Sequence, residues 1–477
     1  MPRFVPKGFV SSNSNRNGEV TRVRHDTQQG VLFEGLGRKD LAIDFSAPLQ
    51  SSEGGLPLLT AVDRDLGLTG RLGSTLLDPR DPQRVGHALT DLLRQRVFSI
   101  ALGYADGNDA ARVGSDPLLK HACGRAPSGE ADLASQPTLS RFERGRGGRE
   151  LVKMARMLED SVIEQLARRH RRARRVTIDL DSTDDPTHGQ QPFAFYHAHY
   201  DTWCYLPLLG FLSIDDQPEQ HLFLARLRPG TSRDGRCVRT MLRRIVPKLK
   251  ARFRRAKVLV RLDAGFAGPD LIDLLEELGV SYLLAIGQNP TLERFAAKHM
   301  HAARVLTERL GGTTTLFGEC SYRARSWPHE RRVIYKAEVV CQPGKEPRDN
   351  LRSVATNLRG SAESLWKHYC RRGDVENRIK ELKADLEIDR TSSTSYLANQ
   401  FRVLLTAAAY VLLQGLRSKL ARTQLARAQL ATLRLKLLKI GATVRETWRR
   451  IVIALPDSYP WKDLWLRAAV AVGASPR

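Results

Sequence analysis

Apolar and polar positions divide the chain into stretches of different period. From Gly55 to Gly103 apolar residues recur every three or four positions, most clearly in "DPQRVGHALTDLLRQRVFSIALGY", and predict helices. "YADGNDAARVGSDPLLKHACG" is interrupted by glycines and holds an Asp-Pro pair suited to a helix start, because proline is tolerated in a first turn. At Arg175 the pattern changes. "RVTIDLD" alternates as a strand, and "FAFYHAHYDTWCYLPLLGFLSI" and "HLFLARL" continue extended. "DGRCVRTMLRRIVPKLKARFRRA" returns to helical spacing, with Pro247 expected to kink or break it. A strand "KVLVRLD", a helix "PDLIDLLEELG" and a strand "SYLLAIG" follow. Strands succeeded by alternating helix and strand predict a mixed sheet with helices on its faces.

From 288 to 350 the order is less regular, with strands expected in "TTTLFGECSY" and "RRVIYKAEVV" around Trp327. "RSVATNL" reads as one more strand, and a helix begins at "SAESLWKHY". The tail is helical at first and strand-like in "TLRLKLLKIGATV" and "RRIVIAL"; it carries no acidic residue from Arg390 to Arg445. Nearer the N-terminus, a short helix "EADLAS", a break at Pro137 and a second helix "TLSRFERG" resemble a helix-turn-helix. Thr138, Ser140 and Arg141 would face outward, with Arg141 placed for DNA contact. "LARRHRRARR" ends a helix in an Arg-rich run that suits either solvent or phosphates.

Charge narrows the partner. The 477 residues carry a net charge of +24, far from neutral for a chain of ordinary hydrophobic content, which points to a polyanion. A membrane partner is disfavoured: the longest apolar run, Val403 to Leu416, is shorter than the ~20 residues of a span and reads as a buried core helix. The N-terminal stretch lacks the apolar segment of a signal peptide. Six scattered cysteines without a C-x-x-C pair argue against a zinc site and for a reducing compartment. The expectation is a cytoplasmic, nucleoid-associated protein that binds nucleic acid.

In such a protein, carboxylates at strand ends repel phosphate unless a cation intervenes. Two predicted strands end in aspartate, at Asp181 and Asp263; Asp179 shares a face with Asp181 and competes with it, and Asp184 and Asp185 lie in the following loop. In "YCRRGDVENRIKELK", a helical wheel gathers Tyr369, Arg372, Glu376, Lys380 and Lys383 into one stripe, away from Asp374 and Glu381. Such a stripe is ordinarily a solvated face whose ion pairs contribute a few tenths of a kcal/mol. Two strand-end aspartates with one helix glutamate, however, can coordinate two Mg²⁺ ions about 3.5–4 Å apart for in-line displacement at phosphorus.

The residues reach a family at this point. Tyr369, Arg372, Glu376 and Lys383 reproduce, with every gap correct, the Tyr-x2-Arg-x3-Glu-x6-Lys signature of the DDE transposases of bacterial insertion sequences. "DST" at Asp181 matches the surroundings of the family's first acid and favours Asp181 over Asp179, and "DAGF" fits Asp263 as the second. "DLDSTDDPTHGQQ" and "YADGNDAARVGSDP" look most like the subgroup around insertion sequence thirteen-eighty. The resemblance covers roughly Tyr104 to the C-terminus. It implies an α/β fold with a ribonuclease-H-like mixed-sheet core (171–287 and 351–420) and a β-rich insertion at 288–350. A mainly helical DNA-binding region (46–170) would follow a flexible arm (1–45), with a helical or mixed tail at 421–477. By resemblance, Asp181, Asp263 and Glu376 would be catalytic and hold two Mg²⁺ ions, with Mn²⁺ able to substitute. Arg372 and Lys383 would hold phosphates of the element's end, Tyr369 would place its terminal nucleotides, and Trp327 would stack on an extruded base. Lys380 shares the face as a further phosphate contact. The implied partners are double-stranded DNA, as terminal inverted repeats and as target, and a second copy of the chain in the DNA complex.

Overall fold

The computed structural model describes residues 31–33, 39, 41–43, 46–129, 131–232 and 234–475. The expected arm therefore lies mostly outside the described residues. The chain divides into two compact units, Met1–Pro48 and Leu49–Arg477. In the first, β1 (Val31–Phe33) pairs antiparallel with β2 (Leu41–Ile43).

The second unit begins with β3 (Gln50–Ser51) and then turns helical: α1 (Leu56–Leu66), α2 (Leu68–Gly73), α3 (Leu89–Ala101), α4 (Ala110–Val113), α5 (Pro117–Ala122), α6 (Gln136–Arg144) and α7 (Gly148–Arg169). Helix α5 starts at the Asp-Pro pair, where the Asp116 carboxylate accepts the N–H groups of Leu118 and Leu119. The helix-turn-helix expectation does not survive. The described part of "EADLAS", residues 131–135, forms no helix, because its backbone has other partners: Gln95 holds both the N–H and the carbonyl of Ala134 (3.0 and 2.8 Å), and the Leu133 N–H donates to the Gly114 carbonyl. A six-residue helix is too short to outweigh that competition.

Next come β4 (Arg175–Ser182), β5 (Asp185–Pro186), β6 (Phe195–His197), β7 (Thr202–Tyr205), β8 (Leu208–Ile214) and β9 (His221–Arg226). After them lie α8 (Asp234–Arg252), β10 (Lys257–Leu262), α9 (Pro269–Glu277), β11 (Ser281–Ile286), α10 (Pro290–Leu310), β12 (Thr314–Tyr322), β13 (Arg331–Val340) and β14 (Arg348–Thr356). Strands β4, β8 and β9 form an antiparallel meander. On the other side of β4, β10 runs parallel to it, and β11 runs parallel to β10. This five-strand order, with the first strand central, is compatible with a ribonuclease-H-like core. Strands β14, β13 and β12 continue the same sheet antiparallel, to eight strands.

The segment 288–350 is thus not purely β-rich. Its first third is α10, capped by the Asn289 side chain, started by Pro290 and ended at Gly311 in the left-handed region. Ala296, Met300 and Ala303 form a buried stripe against Tyr335, Ala337 and Val339 of the sheet. Helix α8 runs through Pro247 without a break. The carbonyl that proline leaves without its helical donor belongs to Arg243, and both residues are exposed on the outer face of the helix.

The chain closes with α11 (Ala362–Cys370), α12 (Gly373–Ala384), α13 (Tyr396–Lys419), α14 (Leu430–Leu433), β15 (Ala442–Glu446), β16 (Ile451–Ala454) and α15 (Lys462–Ala471). The apolar run falls in α13, which passes the length and composition test for a membrane span but has 78% of its apolar window buried inside the molecule. It packs against α1, α3, α7 and β9. A buried ion-pair set, Arg96–Glu143–Arg402, joins α3 and α6 to α13, so the N-terminal helices share a core with the large sheet. "TLRLKLL" is helical rather than extended, while Ile440 bridges to Glu53 and "ATVRE" pairs with β3 and with β16.

Candidate active site

Register decides which strand-end acids meet. Arg261 of β10 lies opposite Asp179 of β4 in the parallel ladder. Two residues further along each strand, on the same faces, come Asp263 and Asp181. The two aspartates therefore stand side by side at the C-terminal edge of neighbouring parallel strands, where ligand crevices of α/β sheets open. Asp263 also caps the short turn Ala264–Phe266, accepting the Gly265 N–H at 3.0 Å.

One layer deeper, Asp179 and Arg261 form a bidentate ion pair at 2.8 and 2.7 Å, with side chains 0% and 5% exposed. The third guanidinium nitrogen donates to the His368 carbonyl at 2.8 Å, near the end of α11. Asp179 is thereby consumed in holding α11 to the sheet. The sequence reading missed Arg261, although its signal was present: it stands two before Asp263, as Asp179 stands two before Asp181.

The expected single helix over the signature is two helices. The chain turns at Cys370–Gly373, through three-residue bonds from Arg372 N–H to the Tyr369 carbonyl and from Val375 N–H to the Arg372 carbonyl. The Arg372 guanidinium consequently leaves its helical neighbour Glu376 and bridges the two aspartates, 2.8 Å from Asp181 and 3.3 Å from Asp263. Its Nε is buried and has no acceptor.

Glu376 is exposed on the first turn of α12 and, among the described residues, has no ion pair. Its charge nonetheless reaches Asp181, whose carboxyl is pushed up to about 7. Burial is the main cause; Arg372 opposes it, and Asp263 and Glu376 add repulsion. Glu381, by contrast, is buried against Arg417 at 2.9 Å and ties α12 to α13. Asp185 accepts a hydrogen bond from Thr391, and burial pushes its carboxyl up to about 8.

The remaining predicted residues scatter around this centre. Tyr369 is half-buried, packed on Trp366 with ring centroids 5.8 Å apart, and burial raises its phenol, with Arg372 and Asp263 nearby. Lys383 is paired with Asp184 at 2.9 Å and Asp389 at 3.5 Å. Lys380 is exposed, as is Arg141, which donates to Thr138. Trp327 is 6% exposed, edge-on to Tyr322 and beneath the Arg331 guanidinium. It offers no open face for a base, because Arg331 and Tyr322 fill the space a base would take. An open indole lies elsewhere. Trp203, 58% exposed, sits in the small sheet β5–β7–β6 that leaves β4 directly after Asp181.

Among the described residues no three His, Cys, Asp or Glu are gathered tightly enough to hold a metal. The donor chemistry still fits a hard divalent cation: three carboxylates, two of them already sharing a cation in the form of Arg372. Like charges this close require a positive partner. Residues 33–475 match the family model described as Transposase DDE domain group 1. No curated protein matches the chain.

Proposed function

The chain belongs to the DDE transposases, and from that premise we propose that it cuts DNA at the terminal inverted repeats of its element and joins the freed ends to target DNA. The observation that carries this reading is the pairing of Asp181 and Asp263 at adjacent strand ends, beneath the turn that also brings Glu376. Asp181, Asp263 and Glu376 would hold Mg²⁺, which when bound supplies an activated water or 3′-hydroxyl and stabilises charge on the leaving oxygen.

The chain's own residues hold and aim the DNA. Arg372 is the residue poised to exchange partners. Its unbonded Nε supports an anion contact, and a phosphate oxygen arriving there gives the guanidinium an alternative to the two carboxylates. Lys380 is open to solvent and free to contact phosphate. Lys383 reaches phosphate by leaving Asp184 and Asp389, two half-buried carboxylates whose place a phosphate would take. Tyr369 lies between Arg372 and the sheet and limits where a terminal nucleotide can rest. Bringing two element ends together calls for at least two copies of the chain in the DNA complex.

The test uses purified protein and a labelled duplex carrying the element's end, in Mg²⁺ or EDTA, beside Glu376→Gln. The proposal expects metal-dependent nicking at the repeat boundary with joined products, and a variant that binds without cutting. Cutting without joining would leave a nuclease of the same fold. Binding without cutting by the wild type in Mg²⁺ and Mn²⁺ would remove the catalytic assignment.

A further inference from the structure

We propose that the end of the sheet opposite the candidate acids binds a second segment of duplex DNA through its phosphates; the inference builds on the transposase reading but rests on separate residues. Helix α7 enters β4, and helix α8 enters β10, each through a tight turn. Because Lys257 lies opposite Arg175 and its N–H donates to the Arg174 carbonyl at 2.8 Å, the two turns are neighbours. They sit at the N-terminal ends of the same two strands whose C-terminal ends carry Asp181 and Asp263. Six residues of β4 separate Arg175 from Asp181, roughly 20 Å.

Both turns are basic. Arg168, Arg169, Arg171, Arg172 and Arg174 are exposed around the first. Arg254, Arg255 and Lys257 are exposed around the second. Among the described residues none of these eight is in an ion pair. The nearby carboxylates are largely committed. Asp215 accepts the backbone N–H groups of Arg174 and Arg175, Asp216 pairs with Arg175 and Arg371, and Glu164 pairs with Arg71 and Arg252. Glu219, half-buried beside His170, is the remaining one.

Helix-end electrostatics do not account for so many cations. Each helix C-terminus carries the equivalent of about half a negative charge, so two ends call for one cation between them, not eight. Gathering the rest costs repulsion that a polyanion relieves. A membrane is the poorer fit, since no exposed large hydrophobic residue lies on either turn to enter the lipid. The two ends of the strands face away from each other. A straight duplex across the acids therefore does not also cross this patch, and the occupant is a second duplex.

The test uses the full chain loaded in EDTA with a short, labelled end duplex, then titrated with a plain duplex of unrelated sequence at several salt concentrations. The variant Arg171→Gln/Arg172→Gln/Arg254→Gln/Arg255→Gln changes only exposed side chains, and its thermal midpoint checks that it folds as the wild type does. We expect the second duplex to bind about 10–100-fold more weakly to the variant, with a salt slope smaller by about 3–4, near 0.9 for each lost phosphate contact. Affinity for the end duplex, and its nicking in Mg²⁺, stay unchanged. Equal second-duplex binding by variant and wild type overturns the proposal. So does mutual exclusion of the two duplexes on the wild type, or a parallel loss of end-duplex affinity in the variant. If the wild type never nicks the end yet the patch variant loses the second duplex, the transposase chemistry falls and the patch stands.

Discussion

Replacing Asp179 and Asp181 one at a time separates a carboxylate that holds the fold from one proposed to do chemistry. The two are two residues apart on one face of β4, so the comparison keeps the strand and the direction of the side chain fixed. Asp179→Asn leaves the Arg261 cation buried without its bidentate partner, in a setting where both side chains are at most 5% exposed. Removing one member of such a pair costs about 3–5 kcal/mol. It also loosens the Arg261 contact to the His368 carbonyl, next to the turn that carries Arg372. Replacing both partners with apolar residues, Asp179→Leu with Arg261→Met, recovers most of the loss, because no unpaired charge remains. Asp181→Asn differs, because Arg372 keeps Asp263 as a partner at 3.3 Å, whereas among the described residues Arg261 has no second carboxylate. The folded carboxyl is raised to about 7 against 3.8, so ionising it opposes folding. That penalty is absent below pH ~4, grows as pH rises towards 7, and is then constant, at no more than ~4 kcal/mol. In EDTA at pH ~7.5 the Asp181→Asn protein is therefore at least as stable as the wild type, while in Mg²⁺ its nicking falls by more than about 100-fold, at least the loss seen when a metal site's outer partners are removed. Thermal midpoints by circular dichroism, beside nicking of a labelled end duplex, read both quantities. If Asp181→Asn lost stability as Asp179→Asn does, or if Asp179→Asn kept its midpoint and lost nicking, the assignment of the two acids would be reversed.

Four further outcomes follow from particular contacts and burials. Trp327→Ala lowers stability by about 3–5 kcal/mol by opening a cavity between Tyr322 and Arg331. Trp203→Ala instead leaves the thermal midpoint unchanged and weakens DNA-end binding by about 1–3 kcal/mol, since its indole is open to stack on a base; unchanged end affinity would exclude that role. Gly55→Ala undocks the C-terminal tail from the start of α1, because a Cβ there would stand 1.6 Å from the Leu437 carbonyl oxygen, and limited proteolysis should then release the tail. Burial holds His221 down at about 3 against 6.5, with Arg169 adding to it. Its contribution to stability is full above pH 6.5 and is lost as pH falls towards 3. Between pH 6.5 and 5 the wild type should lose up to ~2 kcal/mol in urea melts, a slope that His221→Gln flattens.

Much of the architecture was legible because it rests on short-range geometry. Period-2 alternation gave β4, and the buried apolar run gave α13. The gaps between Tyr369, Arg372, Glu376 and Lys383 are local too, and they led to the family. Helix α10 was equally readable from its stripe and caps but was hidden among strand-like neighbours.

Other features depend on partners distant along the chain, which no local window contains. "EADLAS" has helix-forming composition, yet Gln95, 39 residues away, takes its backbone groups. Trp327 looks available in sequence and is covered by its tertiary surroundings. The candidate site itself divides the same way. The family signature, with "DST" and "DAGF", named three acids and an arginine. The parallel register of β4 with β10, set by packing across 82 residues, decided that Asp179 faces Arg261 and that Asp181 faces Asp263. The turn at Gly373 then decided that Arg372 answers those two aspartates rather than Glu376, because a side chain's charge partner is whatever the folded chain brings within hydrogen-bond reach.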